Sequence, residues 1–139
     1  MVKMTIQYKG EKHCELVHGP SDSQIETDAP KDNQGKGEKF SPTDLVGAAL
    51  GSCILTTLEI VLEREGHRVD LRGAHAQVVK TMTGAPRRIE SLQVQIFLPD
   101  KLTSEQRKRA EEIAHTCPVH RSLHPDVQIP MEFQYIQLS

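Results

Sequence analysis

The stretch "SPTDLVGAALGSCILTTLEIVLEREG", residues 41 to 66, is the longest apolar run of the chain and decides how the rest must be arranged. Its start is well signed. Ser41 can cap a helix, Pro42 fits the first helical position, and Asp44 stands three residues after Ser41 as in a capping box. Gly66 is a natural terminator. A helix from Pro42 to about Glu65 would run about 36 Å at 1.5 Å per residue. Something this long and apolar must be covered on most sides, which makes it central to the fold. Residues 45 to 62 are also near the minimum length for a bilayer span. Glu59 interrupts them and Gly, Ser and Thr dilute them, so the reading is a buried helix with no membrane role.

Outward from this helix, period-two patterns dominate. Residues 3–9 and 13–18 read as two strands joined by the turn "KGEK", and a short strand is expected around Ile25 to Thr27. Between them and the helix lies "GPSDSQIETDAPKDNQGKGEKFS", a long polar loop of the kind that is often functional. After the helix, "VDLRGAHAQVVKTM" and "IESLQVQIFLP" read as strands joined by "TGAPRR". The alternation in the second places Leu92, Val94, Ile96 and Leu98 on one face. Thr103 and Ser104 open a second helix, "SEQRKRAEEIAHTC", which stops before Pro118. The turn "PVHRSLH" then leads to a last strand, "VQIPMEFQYIQL". The order β, β, (β), long α, β, β, α, β is that of an α+β chain built on antiparallel hairpins.

At 139 residues the chain is expected to form a single domain, residues 1–139. Its hydrophobic fraction of 37% and aromatic fraction of 4% leave a modest core, so part of its apolar surface is expected to be covered by a partner subunit. The formal charge of −2 gives no electrostatic footprint for nucleic acid. The basic run in "RKRAEE" is followed at once by acids and reads as a solvated helix face. No secretory leader is visible, and with three cysteines a structural disulfide framework is not expected. A reducing, cytoplasmic setting fits.

Cys53 sits in the third turn of the long helix, on one stripe with Val46, Ala49, Leu50, Thr57 and Ile60. Gly47 and Gly51, four apart, let another element come close. Cys117 precedes Pro118 in "AHTCPVHRSLH", at a junction where a thiol can be reached and where a new helical turn would favour its thiolate. His115, His120, Arg121 and His124 stand nearby. Taken alone, each cysteine reads as a small buried hydrophobe. Spacing and periodicity leave a dithiol enzyme, a metal site and two unrelated core thiols all open.

"SPTDLVGAALGSC" followed by "TCPVHRSL", with the lead-in "ETDAPKDNQGKGEKF", resembles the OsmC/Ohr family of osmotically inducible and organic hydroperoxide resistance proteins, in its OsmC-like branch. The match in element order covers nearly the whole chain. The resemblance implies an OsmC-like fold in which antiparallel sheets wrap around two long central helices in an intertwined homodimer. It places Cys53 at the peroxidatic position and Cys117 at the resolving one. The implied activity is a thiol-dependent peroxidase acting on organic hydroperoxides, with hydrogen peroxide as a further substrate. Cys53 would become a sulfenic acid, a Cys53–Cys117 disulfide would follow, and a dithiol, in one branch a lipoylated protein, would reduce it. No metal, haem or flavin is implied.

The chain departs from that pattern in two places. The organic hydroperoxide branch begins its helix Pro-Glu and pairs that Glu with an N-terminal Arg, whereas here Thr43 follows Pro42. Asp44 lies about 100° further round the helix, and the first Arg is Arg64. Lysines and Glu38 are available in the loop, and the group that favours the Cys53 thiolate is expected from across the dimer interface. Two alternatives follow: a redox sensor or small-molecule-binding protein without efficient turnover, and a zinc site using His115, Cys117, His120 and His124 with Cys53 as a further ligand. Cys14, in the second strand, reads as structural.

Overall fold

The computed structural model of the protein describes residues 1–138. The chain forms two compact units, Met1–Val46 and a second beginning at Gly47. Its strands make two three-stranded sheets.

The N-terminal unit holds β1 (Met4–Gly10), β2 (His13–His18) and β3 (Gln24–Asp28), each antiparallel to the next. The β1–β2 turn is tight, with Gly10, Glu11 and Lys12 all at positive φ. Rows across the sheet align Ile6 with Leu16 and Ile25, and Tyr8 with Cys14 and Thr27. Met4, Ile6 and Tyr8 are exposed along the edge strand, so this sheet has an apolar row uncovered by its own unit. The expected short third strand is present and one residue longer at each end than its predicted span.

Helix α1 spans Pro42–Arg64. Its start is a reciprocal box: the Ser41 N–H donates to Asp44 Oδ2 at 2.9 Å, and the Asp44 N–H donates to Ser41 Oγ at 3.0 Å. Its end is closed by Gly66 at φ 87°, where the His67 N–H reaches back to the Leu62 carbonyl. Leu50, Ile54, Leu58 and Leu62 recur every four residues and are fully buried. The opposite side carries Ala48, Ala49, Ser52, Thr56, Glu59 and Ile60, all exposed. Only a third of the most apolar window of α1 is buried, so the expectation of cover on most sides is not met within one chain. By length and composition α1 is also apolar enough to cross a membrane.

The second sheet contains β4 (His75–Met82), β5 (Ile89–Pro99) and β6 (Met131–Ile136) in that order. Leu92, Val94, Ile96 and Leu98 are fully buried on one face of β5, as the alternation predicts. Helix α2 (Ser104–Ala114) starts at a Thr103–Gln106 capping box and buries Ala110, Ile113 and Ala114. Arg109 of α2 holds Glu65 with both carboxylate oxygens, Nε to Oε1 at 2.9 Å and to Oε2 at 2.8 Å. The Tyr135 hydroxyl of β6 donates to Glu111 at 2.9 Å, while the Arg107 guanidinium lies over its ring at 4.3 Å.

Three expectations change. Strand β4 begins at His75, because residues 70–73 turn: Asp70 accepts the Arg72 backbone N–H and Gly73 is at φ 87°. The last strand begins only at Met131, since Pro130 has no N–H for a ladder, and Gln128 makes only an isolated bridge to Ser91. The pairing is also not wholly antiparallel, for β6 runs parallel to β5. The chain travels from β5 through α2 and α3 (Pro118–Ser122) before β6, a return that allows the parallel direction.

Candidate active site

Two elements of the second unit bring Cys53 and Cys117 together. Helix α1 carries Cys53 on the border between its buried and exposed faces, and the thiol is half-buried. One turn on, the Thr57 hydroxyl lies 3.9 Å from Cys53 Sγ, with either atom able to donate. Thr56 next to it turns instead to the Ser52 and Cys53 carbonyls. The stripe predicted for Cys53 divides: Leu50 is buried, Val46 and Thr57 are half-buried, and Ala49 and Ile60 are open.

Cys117 is fully buried and forms the N-cap of α3. Chain geometry explains the position. Helix α2 ends at Ala114, the Thr116 N–H and hydroxyl both return to the Ile113 carbonyl, and Pro118 starts the next helical turn. The Cys117 sulfur then accepts the His120 backbone N–H at 3.3 Å. The Cys53 thiol is near enough to act on its ionisation. Both cysteines are free thiols, as is half-buried Cys14. Burial pushes the Cys117 thiol above its ordinary value of 9.0, and the neighbouring Cys53 adds to that rise. The His120 and Val119 backbone N–H groups oppose it. Of the two sulfurs, Cys117 is thus the buried one, with its neutral form favoured, and Cys53 is the more accessible.

Gly47 and Gly51 make room for the chain's own sheet. A Cβ on Gly47 would meet Leu92 Cδ2 and Val78 Cγ1, each at 3.5 Å, and one on Gly51 would meet Val78 Cγ2 at 3.3 Å. The glycine side of α1 therefore faces the chain's own β4 and β5.

The histidines near Cys117 do not gather around it. The His115 and His120 rings meet edge to face at 6.0 Å. His124 turns Nδ1 to the Asp126 N–H at 3.1 Å. Among the described residues no three His, Cys, Asp or Glu side chains form a group that could hold a metal ion. The loop cations named as candidates are engaged within their own unit, Lys36 on Glu11 at 2.6 Å and Lys39 on Glu26 at 3.3 Å. Asp44 is taken up by the helix cap, and the Thr43 hydroxyl lies 3.2 Å from Ser41 Oγ. Sequence reasoning missed the His120 backbone donor to Cys117. A Cys-Pro pair opening a helical turn is the signal that leads to it.

The OsmC-like protein family model matches residues 35–132, which contain both cysteines and the whole of α1. The chain belongs to the OsmC-like family. A protein of Psychrobacter arcticus 273-4, provisionally described as an osmotic stress induced and detoxification response protein, is 37% identical over 96% of each chain, with a TM-score of 0.89. An OsmC like protein of Mycoplasma pneumoniae shares the fold at 14% identity, covering 99% of this chain and 98% of that one, with a TM-score of 0.81. The organic hydroperoxide resistance protein OhrB of Bacillus subtilis does so at 17% identity over 96% and 98%, with a TM-score of 0.69. Among proteins of curated function none matches the chain. The OsmC-like fold of this chain is thus an α+β arrangement with two sheets and one long helix.

Proposed function

We propose that this OsmC-like protein is a thiol peroxidase that reduces organic hydroperoxides, with Cys53 as nucleophile and Cys117 as resolving thiol. The observation that carries the proposal is the meeting of the two thiols, the one half-accessible on α1 and the other buried at the α3 cap. The Cys53 thiolate attacks the terminal oxygen of ROOH. The O–O bond breaks, a Cys53 S–O bond forms, and the alkoxide takes a proton and leaves as alcohol. Cys117 sulfur then attacks the sulfenic sulfur, the S–S bond forms, and the hydroxyl leaves as water. A small-molecule or protein dithiol, a lipoylated protein being one such class, returns the two electrons and restores both thiols. A reducing, cytoplasmic compartment keeps such a dithiol available. Hydrogen peroxide fits the same chemistry, with water in place of the alcohol.

The protein acts as a homodimer in this proposal. The open side of α1 at Ala48, Ala49, Ser52 and Ile60, and the uncovered row Met4, Ile6 and Tyr8, support it. The partner subunit would supply the charged or hydrogen-bonding group that favours the Cys53 thiolate, as Thr57 offers a distant hydroxyl only.

One observation favours a second reading, a redox sensor with slow turnover. Cys117 is buried and held as the neutral thiol, which slows its attack on a sulfenic acid. Steady-state consumption of an alkyl hydroperoxide and of hydrogen peroxide, with a dithiol reductant, separates the two. The peroxidase reading expects turnover that Cys53→Ser abolishes and Cys14→Ser leaves intact. Full turnover in Cys53→Ser would sink it, and one oxidation equivalent without further turnover would select the sensor.

A further inference from the structure

The N-terminal unit contains a charged cluster unrelated to the thiols. His13 on β2 places Nδ1 2.6 Å from Asp28 Oδ1 and Nε2 3.1 Å from Glu26 Oε1. Ionised carboxylates only accept hydrogen bonds, so both contacts together require both ring nitrogens to carry protons. The ring is an imidazolium between two carboxylates.

Asp28 is only 3% exposed. Its second oxygen accepts the backbone N–H groups of Glu38 and Lys39, both at 3.1 Å. Its own N–H donates to the Phe40 carbonyl at 3.2 Å, and the Ala29 N–H donates to the Lys12 carbonyl at 3.0 Å. Residues 29–39 are therefore a loop closed at its neck, and the fastening carboxylate has His13 as its cationic partner. We propose that residues 29–39 form a pH-released strap, locked by doubly protonated His13 and loosened when the ring loses a proton.

The other charges around the ring are already paired. Lys39 reaches Glu26 at 3.3 Å, Lys36 reaches Glu11 at 2.6 Å, and Lys9 reaches Glu15 at 3.7 Å. Lys9, Glu11, Glu26, Lys36, Lys39 and the Glu38 side chain line a cavity of about 270 Å³ next to the ring. Lys36 feels Asp28 through space but makes its contact with Glu11, and no ion pair between a lysine and Asp28 is present among the described residues. Neutral His13 keeps one N–H and must turn a lone pair toward one carboxylate. Asp28 then remains buried without a cation in contact, an unfavourable state that opening the neck relieves.

The hydrogen bond to Asp28 raises the His13 pKa above its ordinary 6.5. The lock is therefore complete below pH 6.5 and is lost as the pH rises through the raised value. The Asp28 pKa is lowered from 3.8, chiefly by His13, so acid undoes the same contact only below that value. These consequences hold whatever reaction the thiols perform.

The test is amide hydrogen exchange on the full chain between pH 6 and pH 9, as protection factors, with ring nitrogen shifts of His13 followed by NMR. Protection of the Glu38 and Lys39 amides should fall about tenfold, the size expected for one charge-assisted hydrogen bond, while amides of the β1–β2 ladder hold. The fall should track the His13 ring titration, midpoint above 6.5. His13→Gln should abolish the pH dependence, and Glu26→Gln should move the midpoint down. A ring that titrates at or below 6.5, or a pH step that survives in His13→Gln, overturns the strap. If His13→Gln does not fold, an unmoved midpoint in Glu26→Gln does so.

Discussion

Alanine at position 47 should stabilise this protein, although Gly47 is buried and faces the sheet. The added Cβ would lie 3.5 Å from both Leu92 Cδ2 and Val78 Cγ1, ordinary van der Waals contact that needs no movement. Replacing glycine by alanine inside a helix contributes about 0.8–1.0 kcal/mol, and the methyl fills space at the helix–sheet contact. A net gain of about 1–1.5 kcal/mol follows, or a Tm higher by roughly 3–6 °C for a chain of this size. Gly51 is the control in the same helix. There the Cβ would stand 3.3 Å from Val78 Cγ2 and 3.6 Å from Ala76 Cβ. Val78 is β-branched and stiff at χ1, so the same propensity gain is offset and the net change should stay within about 0.5 kcal/mol of zero. Urea unfolding of both variants measures the difference. If Gly47→Ala loses stability, or Gly51→Ala gains as much as Gly47→Ala, then α1 does not rest on β4 and β5 at the stated spacing. In that case the position of Cys53 relative to Cys117 would need revision too.

Thr103→Ala removes the acceptor of the α2 capping box, in which Thr103 Oγ1 takes the Gln106 N–H at 3.1 Å, and should cost about 1 kcal/mol in urea unfolding. Leu58→Ala empties a fully buried position in the core face of α1 and should cost about 2–5 kcal/mol, with a lowered urea midpoint and an unchanged m-value. Cys117 is buried with its thiol pushed above 9.0, so its alkylation should be slow and should quicken as the pH rises toward that raised value. Peptide mapping after iodoacetamide treatment at pH 8 should therefore find Cys53 and Cys14 modified ahead of Cys117. Cys117 labelled first would contradict its burial.

Local chemistry made much of the fold legible. The Ser41–Asp44 box and Gly66 set both ends of α1, and alternation in "SLQVQIFL" placed four core residues on one face of β5. What escaped depended on partners distant in sequence. Residues 69–74 and 127–130 read as strand by pattern, but a turn at residues 70–73 and Pro130, which cannot donate, interrupt them. The parallel direction of β6 follows from the route the chain takes through α2 and α3, which periodicity does not carry. Gly47 and Gly51 advertised a close approach without saying that Val78 and Leu92 would make it. For the site, helical spacing put Thr57 beside Cys53 but left Cys117 unconnected, since nothing local joins two residues 64 positions apart. The resemblance joined them. The His13–Asp28 contact was invisible, because it lies across strands whose register no single-strand pattern specifies.

The central claim is that Cys53 is the sulfur that peroxide oxidises and that Cys117 captures it. Treating the reduced protein with one equivalent of an alkyl hydroperoxide, then mapping peptides by mass, tests it most directly. The account predicts a Cys53–Cys117 disulfide in the native chain. In Cys117→Ser it predicts a Cys53 sulfenic acid that dimedone traps. Oxidation centred on Cys14, or Cys117 oxidised as readily in Cys53→Ser as in the native chain, would contradict it.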